Sequence, residues 1–235
     1  MTILQLPSKH PLPLRLRRMA GSSAPWSSAF IPDAAKQFVT NGRLKTTREN
    51  LIFLVEQNIE PDNGQLKVYH SGPELKKLAK EYGVTFFHSP KHILSPFKLV
   101  YFDPRGHPLA DSIREELAKK ARDEPLWIQC TSIMSKTSAV VHTKAKRRLA
   151  AAIHKALAYR GYSLAPGKAA NKSLWGTLYT KINDPIKACA KPLDRLAAAI
   201  AEAIDKNWPR RVDDKKARRD SRPINKYDEG SANSK

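Results

Sequence analysis

The chain of 235 residues is 41% hydrophobic, which is enough to build one core of ordinary domain size or two small ones. Its 42 lysines and arginines against 22 aspartates and glutamates leave a net charge of +20, more than solubility requires. We therefore expect a polyanionic partner, and we favour nucleic acid over acidic lipid or acidic protein. Because no run of eighteen apolar residues occurs, the sequence predicts no membrane span.

The segment 1–32 has the composition of an organelle import signal. It contains no acidic residue, turns serine-rich after residue 21, and carries four basic residues, Lys9, Arg15, Arg17 and Arg18. This pattern predicts import into the mitochondrial matrix. Three prolines interrupt any amphipathic helix in its first fifteen residues, so a basic disordered tail is the alternative interpretation.

The segment 33–90 predicts a mostly helical extension. Helical turns are expected within 34–57, with an apolar face formed by Leu51, Ile52, Leu54 and Val55. A short helix is expected over 72–82, with Leu75 and Leu78 pointing inward and Gly83 ending it. A brief apolar strand is expected over 84–87.

The segment 91–208 predicts a domain of the α/β (α+β) class. A half-buried strand is expected over 97–102, followed by a turn at 103–106. Asp111 or Ser112 is expected to cap a helix that continues to about Ala121, and a strand is expected over 126–134. Later elements are a strand over 174–182 and an amphipathic helix over 192–208, which turns inward Leu193, Leu196, Ala197, Ile200 and Ile204.

The strongest functional signal is a basic helix within a stretch that has no acidic residue. No aspartate or glutamate occurs from Pro125 to Asn183, a span of 59 residues. Within it, a helix over 141–159 should turn one side to the core and present Lys144, Arg147, Arg148 and Lys155 on the other. Lysines and arginines on a helix are usually only its solvated face, but glutamates normally accompany them. The absence of glutamates from this helix favours a phosphate-binding surface.

The tail 209–235 is rich in lysine and arginine and poor in apolar residues, which predicts disorder in the free chain. It either adds phosphate contacts that ignore sequence or is a solvated tail without a role. The two cysteines, Cys130 and Cys189, have no metal-ligand spacing and are expected to be buried thiols in a reducing compartment. No histidine pairs with a cysteine or carboxylate at a ligand interval, so the sequence predicts no metal site and no catalytic residue.

The stretch from Ser135 to Leu149 resembles the signature of the bacterial-type ribonuclease P protein subunit. In that family a strand leads through Ser-Lys-Lys and Ala-Val into a basic helix of the form Arg-Asn-Arg-x-Lys-Arg. The segment 97–105 is similar to the first long strand of the family and its turn. The chain departs from the family at His142, Thr143 and Lys144, where the family has Arg-Asn-Arg, and matches it better at 146–148.

The resemblance implies a two-layer sandwich with a mixed sheet and an exposed basic helix, and the basic tails that composition predicts to be disordered flank it. It also implies a non-catalytic subunit that grips RNA phosphates during tRNA 5′ processing, while the RNA supplies the catalysis and holds any Mg2+. The partners implied are precursor tRNA, a catalytic RNA and other ribonucleoprotein subunits. Ribosomal RNA is the expected partner if the chain is instead a structural protein of the mitochondrial ribosome. The residues predicted to contact RNA are Lys136, His142, Lys144, Lys146, Arg147, Arg148, Lys155, Arg160, Lys168 and Lys172.

Two alternatives stay open at the level of sequence. A structural protein of the mitochondrial ribosome would need the same basic helix and tails. A translation factor is the other, since the segment 106–130 is loosely similar to the N-terminal half of bacterial initiation factor three. Five aromatic residues are also candidates for stacking on bases: Trp127, Tyr159, Tyr162, Trp175 and Tyr179.

Overall fold

The computed structural model describes residues 30–40, 43–69, 72–133, 137–162 and 174–208. Its strands are β1 (Val39–Thr40), β2 (Arg43–Leu44), β3 (Ile59–Glu60), β4 (Lys67–Val68), β5 (Val84–Ser89), β6 (His92–Ile93), β7 (Leu126–Ser132) and β8 (Gly176–Ile182). Its helices are α1 (Arg48–Glu56), α2 (Gly72–Glu81), α3 (Ala110–Asp123), α4 (Ala139–Tyr159), α5 (Pro185–Ala190) and α6 (Asp194–Asn207). Short 3₁₀ helices cover Asp33–Ala35, Asn63–Gln65 and Pro96–Phe102.

The centre of the fold is a four-stranded mixed sheet with the order β4-β5-β8-β7. Strand β8 pairs antiparallel with β5 and parallel with β7, so β7 is an edge strand. A close backbone approach explains Gly176, which opens β8 with φ +117: an added Cβ would lie 2.2 Å from the carbonyl oxygen of Ser89. The predicted α/β class and the mixed sheet are confirmed.

One face of the sheet carries the main core. Helices α2, α4 and α6 cover it, and alternate residues of β8, Leu178 and Ile182, point into this core and are fully buried. The predicted inward residues of α2 and α6 are buried as well. The helix over 72–82 and the helix over 192–208 are therefore confirmed, with ends within two residues of the prediction.

The opposite face of the sheet is covered at one end by a second core. Trp127 points away from α2, α4 and α6 and joins buried residues of α1, α3 and the 3₁₀ helix Pro96–Phe102. The hydroxyl of Thr177, on the same face, accepts a hydrogen bond of 2.8 Å from the backbone N–H of Ile93. The two layers expected from sequence thus become three at this end of the sheet.

The expected strand over 97–102 is wrong, because a 3₁₀ helix occupies this position. Pro96, Leu99 and Phe102 are its buried residues, and a spacing of three is the repeat of a 3₁₀ helix. This part of the resemblance to the ribonuclease P protein subunit therefore has no counterpart in the fold.

The predicted cap of α3 is also wrong. The helix begins at Ala110 after Leu109, and no side chain caps it. Asp111 lies in the first turn instead, where its charge favours the helix dipole, and it forms an ion pair with Arg114.

The expected helical extension over 33–90 contributes strands to the central sheet. Strand β5 pairs along its whole length with β8, so a domain boundary at residue 90 would separate two neighbouring strands. The apolar face predicted for the first helix is only partly correct: Leu54 is buried, but Ile52 and Val55 are exposed. Asn50 lies on the buried side instead, where its amide donates to the hydroxyl of Thr46 at 3.0 Å.

Candidate nucleic-acid interface

Helix α4 is held in place by its apolar side. Ala145, Leu149, Ile153 and Leu157 recur at intervals of four and are fully buried. They pack against α5, α6 and β7, so the orientation of the helix is set by the main core. The helix ends as the sequence predicted, with Gly161 in the left-handed conformation at φ +84.

His142 was predicted to contact RNA, and the structure corrects this. Only 8% of the residue is exposed. Its Nδ1 lies 2.7 Å from Ser132 Oγ and its Nε2 lies 2.8 Å from Thr137 Oγ1, so both ring nitrogens have hydroxyl partners. The imidazole thereby ties the end of β7 to the first turn of α4 and fixes where the basic helix starts.

The side of α4 opposite the core presents four cations, Lys144, Arg147, Arg148 and Lys155, which we call the cationic face. All four residues are exposed. Within the described ranges, no carboxylate forms an ion pair with any of them. Arg148 makes one contact that orients it, since its Nη1 donates to the carbonyl oxygen of Cys189 in α5 at 2.8 Å. The predicted phosphate-binding cations of the outer side therefore share one exposed surface.

This arrangement has an electrostatic cost in the free protein. Lys144 lies three residues before Arg147 and four before Arg148, the spacings at which helix side chains are neighbours. Like charges at these spacings destabilise a helix by about 0.2–0.5 kcal/mol per pair. Bound phosphates would offset this repulsion, because each phosphate supplies the opposite charge.

Lys146 and Arg160 differ from the cationic face. Lys146 is half-buried and lies beside Cys130 of the edge strand β7, in a separate groove. Arg160 lies at the end of α4, with Nη2 3.6 Å from Glu202 Oε2 and Nη1 3.6 Å from Asp205 Oδ2. Carboxylates of α6 thus neutralise Arg160, which sets it apart from the four unpaired cations.

Of the five aromatic residues considered for stacking, Tyr159 has the exposure required. It is 93% exposed and follows Lys155 by four residues, one helical turn further along α4. Trp127 and Tyr162 are buried, while Trp175 stacks on His92 with ring centroids 4.3 Å apart. The hydroxyl of Tyr179 lies 2.7 Å from that of Thr131. Spacing alone could not separate these five, because exposure depends on the tertiary packing.

Several predicted residues lie outside the described part of the chain. They are Lys136, Lys168 and Lys172, together with most of the basic N-terminal segment and all of the C-terminal tail. Both cysteines are free and half-buried, and burial raises the pKa of the Cys130 thiol to about 11. That thiol is therefore protonated at neutral pH.

Residues 30–40, 43–69, 72–133, 137–162 and 174–208 contain neither a metal-binding cluster nor a membrane-spanning helix. No group of three or more His, Cys, Asp or Glu side chains in these ranges is arranged to hold a metal ion. No helix in the same ranges combines the length and the hydropathy needed to cross a membrane. Comparison of the chain with protein-family models, with curated proteins and with solved structures found no match.

Proposed function

We propose that the chain binds RNA by holding its phosphates on the cationic face of α4, as a subunit of a mitochondrial ribonucleoprotein. The observation that carries this proposal is the exposed row Lys144, Arg147, Arg148 and Lys155, for which the described residues provide no carboxylate. Positive charge without local neutralisation attracts a polyanion over a distance of about one Debye length, or roughly 8 Å at physiological salt. We assign no catalytic step to these side chains.

Tyr159 gives this surface a second kind of contact. A phenol ring beside a row of cations suits a single strand, whose unstacked bases can lie on the ring while its phosphates follow the cations. We therefore expect single-stranded RNA to bind more tightly than duplex RNA of the same length.

The proposal is tested by replacing Lys144, Arg147 and Lys155 with alanine. Arg148 is left intact because its bond to Cys189 also joins α4 to α5. Removing one phosphate contact should flatten the plot of log affinity against log salt by about 0.7 for single strands, so the triple variant should lose about two units of slope. Fluorescence anisotropy with a labelled single-stranded RNA at several salt concentrations measures both the affinity and the slope.

A matched control is a triple alanine variant of Lys76, Lys77 and Lys80, three exposed lysines on α2. It removes the same net charge from another helix. We expect the α4 variant to lose at least roughly tenfold more affinity than the α2 variant. Equal losses would show that only net charge matters, and an unchanged slope in the α4 variant would overturn the proposal.

For the assembly, we propose a ribonuclease P-like role in tRNA 5′ processing, in which the RNA holds any Mg2+. The order strand, basic helix, strand, helix supports it, since β7, α4 and β8 follow each other and α6 comes after them, with the short helix α5 between β8 and α6. The alternative is a structural protein of the mitochondrial ribosome, and an initiation factor-like protein is the third hypothesis.

Sedimentation of mitochondrial extracts in high salt separates these assemblies. A ribosomal protein should stay with ribosomes, a processing subunit should travel with a small RNA, and a factor should bind only free small subunits. Crosslinking followed by sequencing of the bound RNA then identifies the RNA itself.

A further inference from the structure

A second surface of the molecule lies along the edge of β7 with which no described strand pairs. A groove of about 340 Å³ runs beside this strand, and four consecutive strand residues, Gln129–Ser132, line it. Its walls come from α4 on one side and from α3 and the 3₁₀ helix Pro96–Phe102 on the other. The groove therefore follows the strand backbone itself.

The register of the sheet shows which backbone groups face this groove. Pro125 accepts a hydrogen bond from the N–H of Gly176, and the N–H of Ile133 donates to Ile182, both at 3.0 Å. Since parallel pairing uses every second residue of a strand, the odd-numbered residues of β7 bond to β8. Ile128, Cys130 and Ser132 consequently turn their backbone N–H and C=O groups outward, and no described residue bonds to them.

The walls of the groove carry a consistent charge. The described residues that line it include three lysines, Lys98, Lys120 and Lys146, and no carboxylate. Lys98 and Lys120 have partners outside the lining, Glu116 and Glu124, at 2.5 Å and 3.6 Å. Both lysines are half-buried, but the carboxylates of the two pairs are exposed to solvent, so each pair contributes at most about 1 kcal/mol and an acidic ligand could replace these partners at little cost. Within the described residues, Lys146 has no such partner.

From these observations we propose that the groove binds an extended acidic segment of a partner protein, which adds a strand to β7. The outward backbone groups alternate donors and acceptors, and a peptide strand satisfies both kinds. A segment of about four residues spans Gln129–Ser132, because a strand rises about 3.3 Å per residue. Glutamate or aspartate side chains on the two faces of the added strand would reach the three lysines, Lys146 on one wall and Lys98 and Lys120 on the other.

Charge and hydrogen bonding make two other occupants less suitable. The chain's own termini are repelled, because residues 1–32 contain no acid and residues 209–235 carry nine lysines and arginines against five acids. RNA is less well matched, because its phosphates only accept hydrogen bonds and the outward carbonyl groups would need other donors from the RNA, whereas a peptide backbone supplies donors and acceptors in alternation. Lysines along an edge also discourage pairing with apolar or basic strands, which makes the groove selective for acidic ones.

The test uses the full chain and a labelled seven-residue peptide, Val-Glu-Glu-Val-Glu-Glu-Val, capped at both ends, whose glutamates lie on both faces of an extended strand. Two control peptides isolate the two contributions: one replaces glutamate by lysine, and the other keeps the charges but carries an N-methyl group on every backbone nitrogen. We expect each control to bind at least roughly tenfold more weakly, the first because its charge is reversed and the second because it cannot pair as a strand. Amide hydrogen exchange followed by NMR should show slower exchange at Cys130 and Ser132 when the acidic peptide binds.

A triple alanine variant of Lys98, Lys120 and Lys146 should weaken binding of the acidic peptide, while the triple variant of Lys76, Lys77 and Lys80 should bind it like the natural chain. The inference is overturned if the N-methylated peptide binds equally well, if exchange at β7 is unchanged, or if a short RNA rather than the peptide protects these amides. None of these outcomes depends on RNA binding by the cationic face, so the two proposals fail separately.

Discussion

Helices α3 and α4 are both amphipathic, yet they carry charge in opposite ways. In α3 the cations alternate with acids: Arg114 pairs with Asp111, and Arg122 with Asp123. Nearby residues complete the pattern, since Lys98 pairs with Glu116 of α3 and Lys120 with Glu124. The five cations within α4 have no such partner among the described residues. The two helices therefore differ in the pairing of their cations, and on our proposal this pairing, rather than the number of cations, distinguishes a solvated helix from a binding surface.

The inner and outer sides of α4 should have separate roles, and the inner side should give the largest effect. Replacing the fully buried Leu149 by alanine should lower the free energy of unfolding by about 2–5 kcal/mol, because it leaves a cavity in the main core. Urea denaturation measures the change. Lys144→Ala on the outer side should stay within about 0.5 kcal/mol of the natural chain. Similar losses in both variants would mean that the outer side is structural.

Tyr159 sharpens the comparison, because α3 presents no aromatic side chain. Tyr159→Ala should weaken binding of single-stranded RNA by about 1–3 kcal/mol because the stacking is removed, with no loss of stability because the ring is 93% exposed. Tyr159→Phe keeps the ring and should bind nearly as the natural chain does. If both variants bind RNA equally to the natural chain, the ring does not stack on bases.

A change of pH should affect the stability of the core through His88. Burial, and then the nearby charge of Lys67, lowers the pKa of His88, which packs against Tyr69 and Trp208 with ring centroids 5.1 and 5.9 Å away. As the pH falls through about 6.5 the unfolded chain takes up a proton first, so the contribution of His88 to stability is complete above that pH and is lost below it.

Replacing His88 by phenylalanine should therefore reduce the loss of stability between about pH 7.5 and about pH 5.5. Denaturation of both chains at the two pH values gives the comparison. Parallel pH profiles would show that His88 does not titrate differently in the folded protein.

Lys155 and Arg160 repeat the contrast between unpaired and paired cations at the end of α4. Lys155→Ala should flatten the salt dependence of RNA binding by about 0.7, the value for one phosphate contact with a single strand. Arg160→Ala should change it less, because Glu202 and Asp205 already neutralise the guanidinium. A larger change for Arg160 would reverse the ranking on which the proposed interface depends.

The elements that sequence predicted well are those with a clear local period. The apolar repeat of α4 and that of α6 were sufficient to assign both helices and their buried sides. The row of cations on α4 followed from the same repeat, since the positions that avoid the core are fixed once the buried ones are known. The absence of carboxylates within reach of that row, among the described residues, needed the tertiary structure.

What sequence did not predict depends on contacts between distant segments. Strand β5 was placed outside the α/β domain, because its partner β8 lies about ninety residues further along the chain. The burial of His142 arises from Ser132 and Thr137, whose hydroxyls give no periodic signal. The groove beside β7 likewise collects Lys98, Lys120 and Lys146 from three separate elements.

The most direct test of the account gives α4 the kind of partner that α3 has. Ala151 is exposed on α4, four residues after Arg147 and four before Lys155, so glutamate at this position would pair with both. The free energy of unfolding of the Ala151→Glu variant should be a few tenths of a kcal/mol higher than that of Ala151→Gln. The Ala151→Glu variant should also bind single-stranded RNA several-fold more weakly than Ala151→Gln, with a flatter salt dependence. Equal RNA affinity and equal salt dependence in the two variants would contradict the claim that unpaired cations of α4 hold RNA.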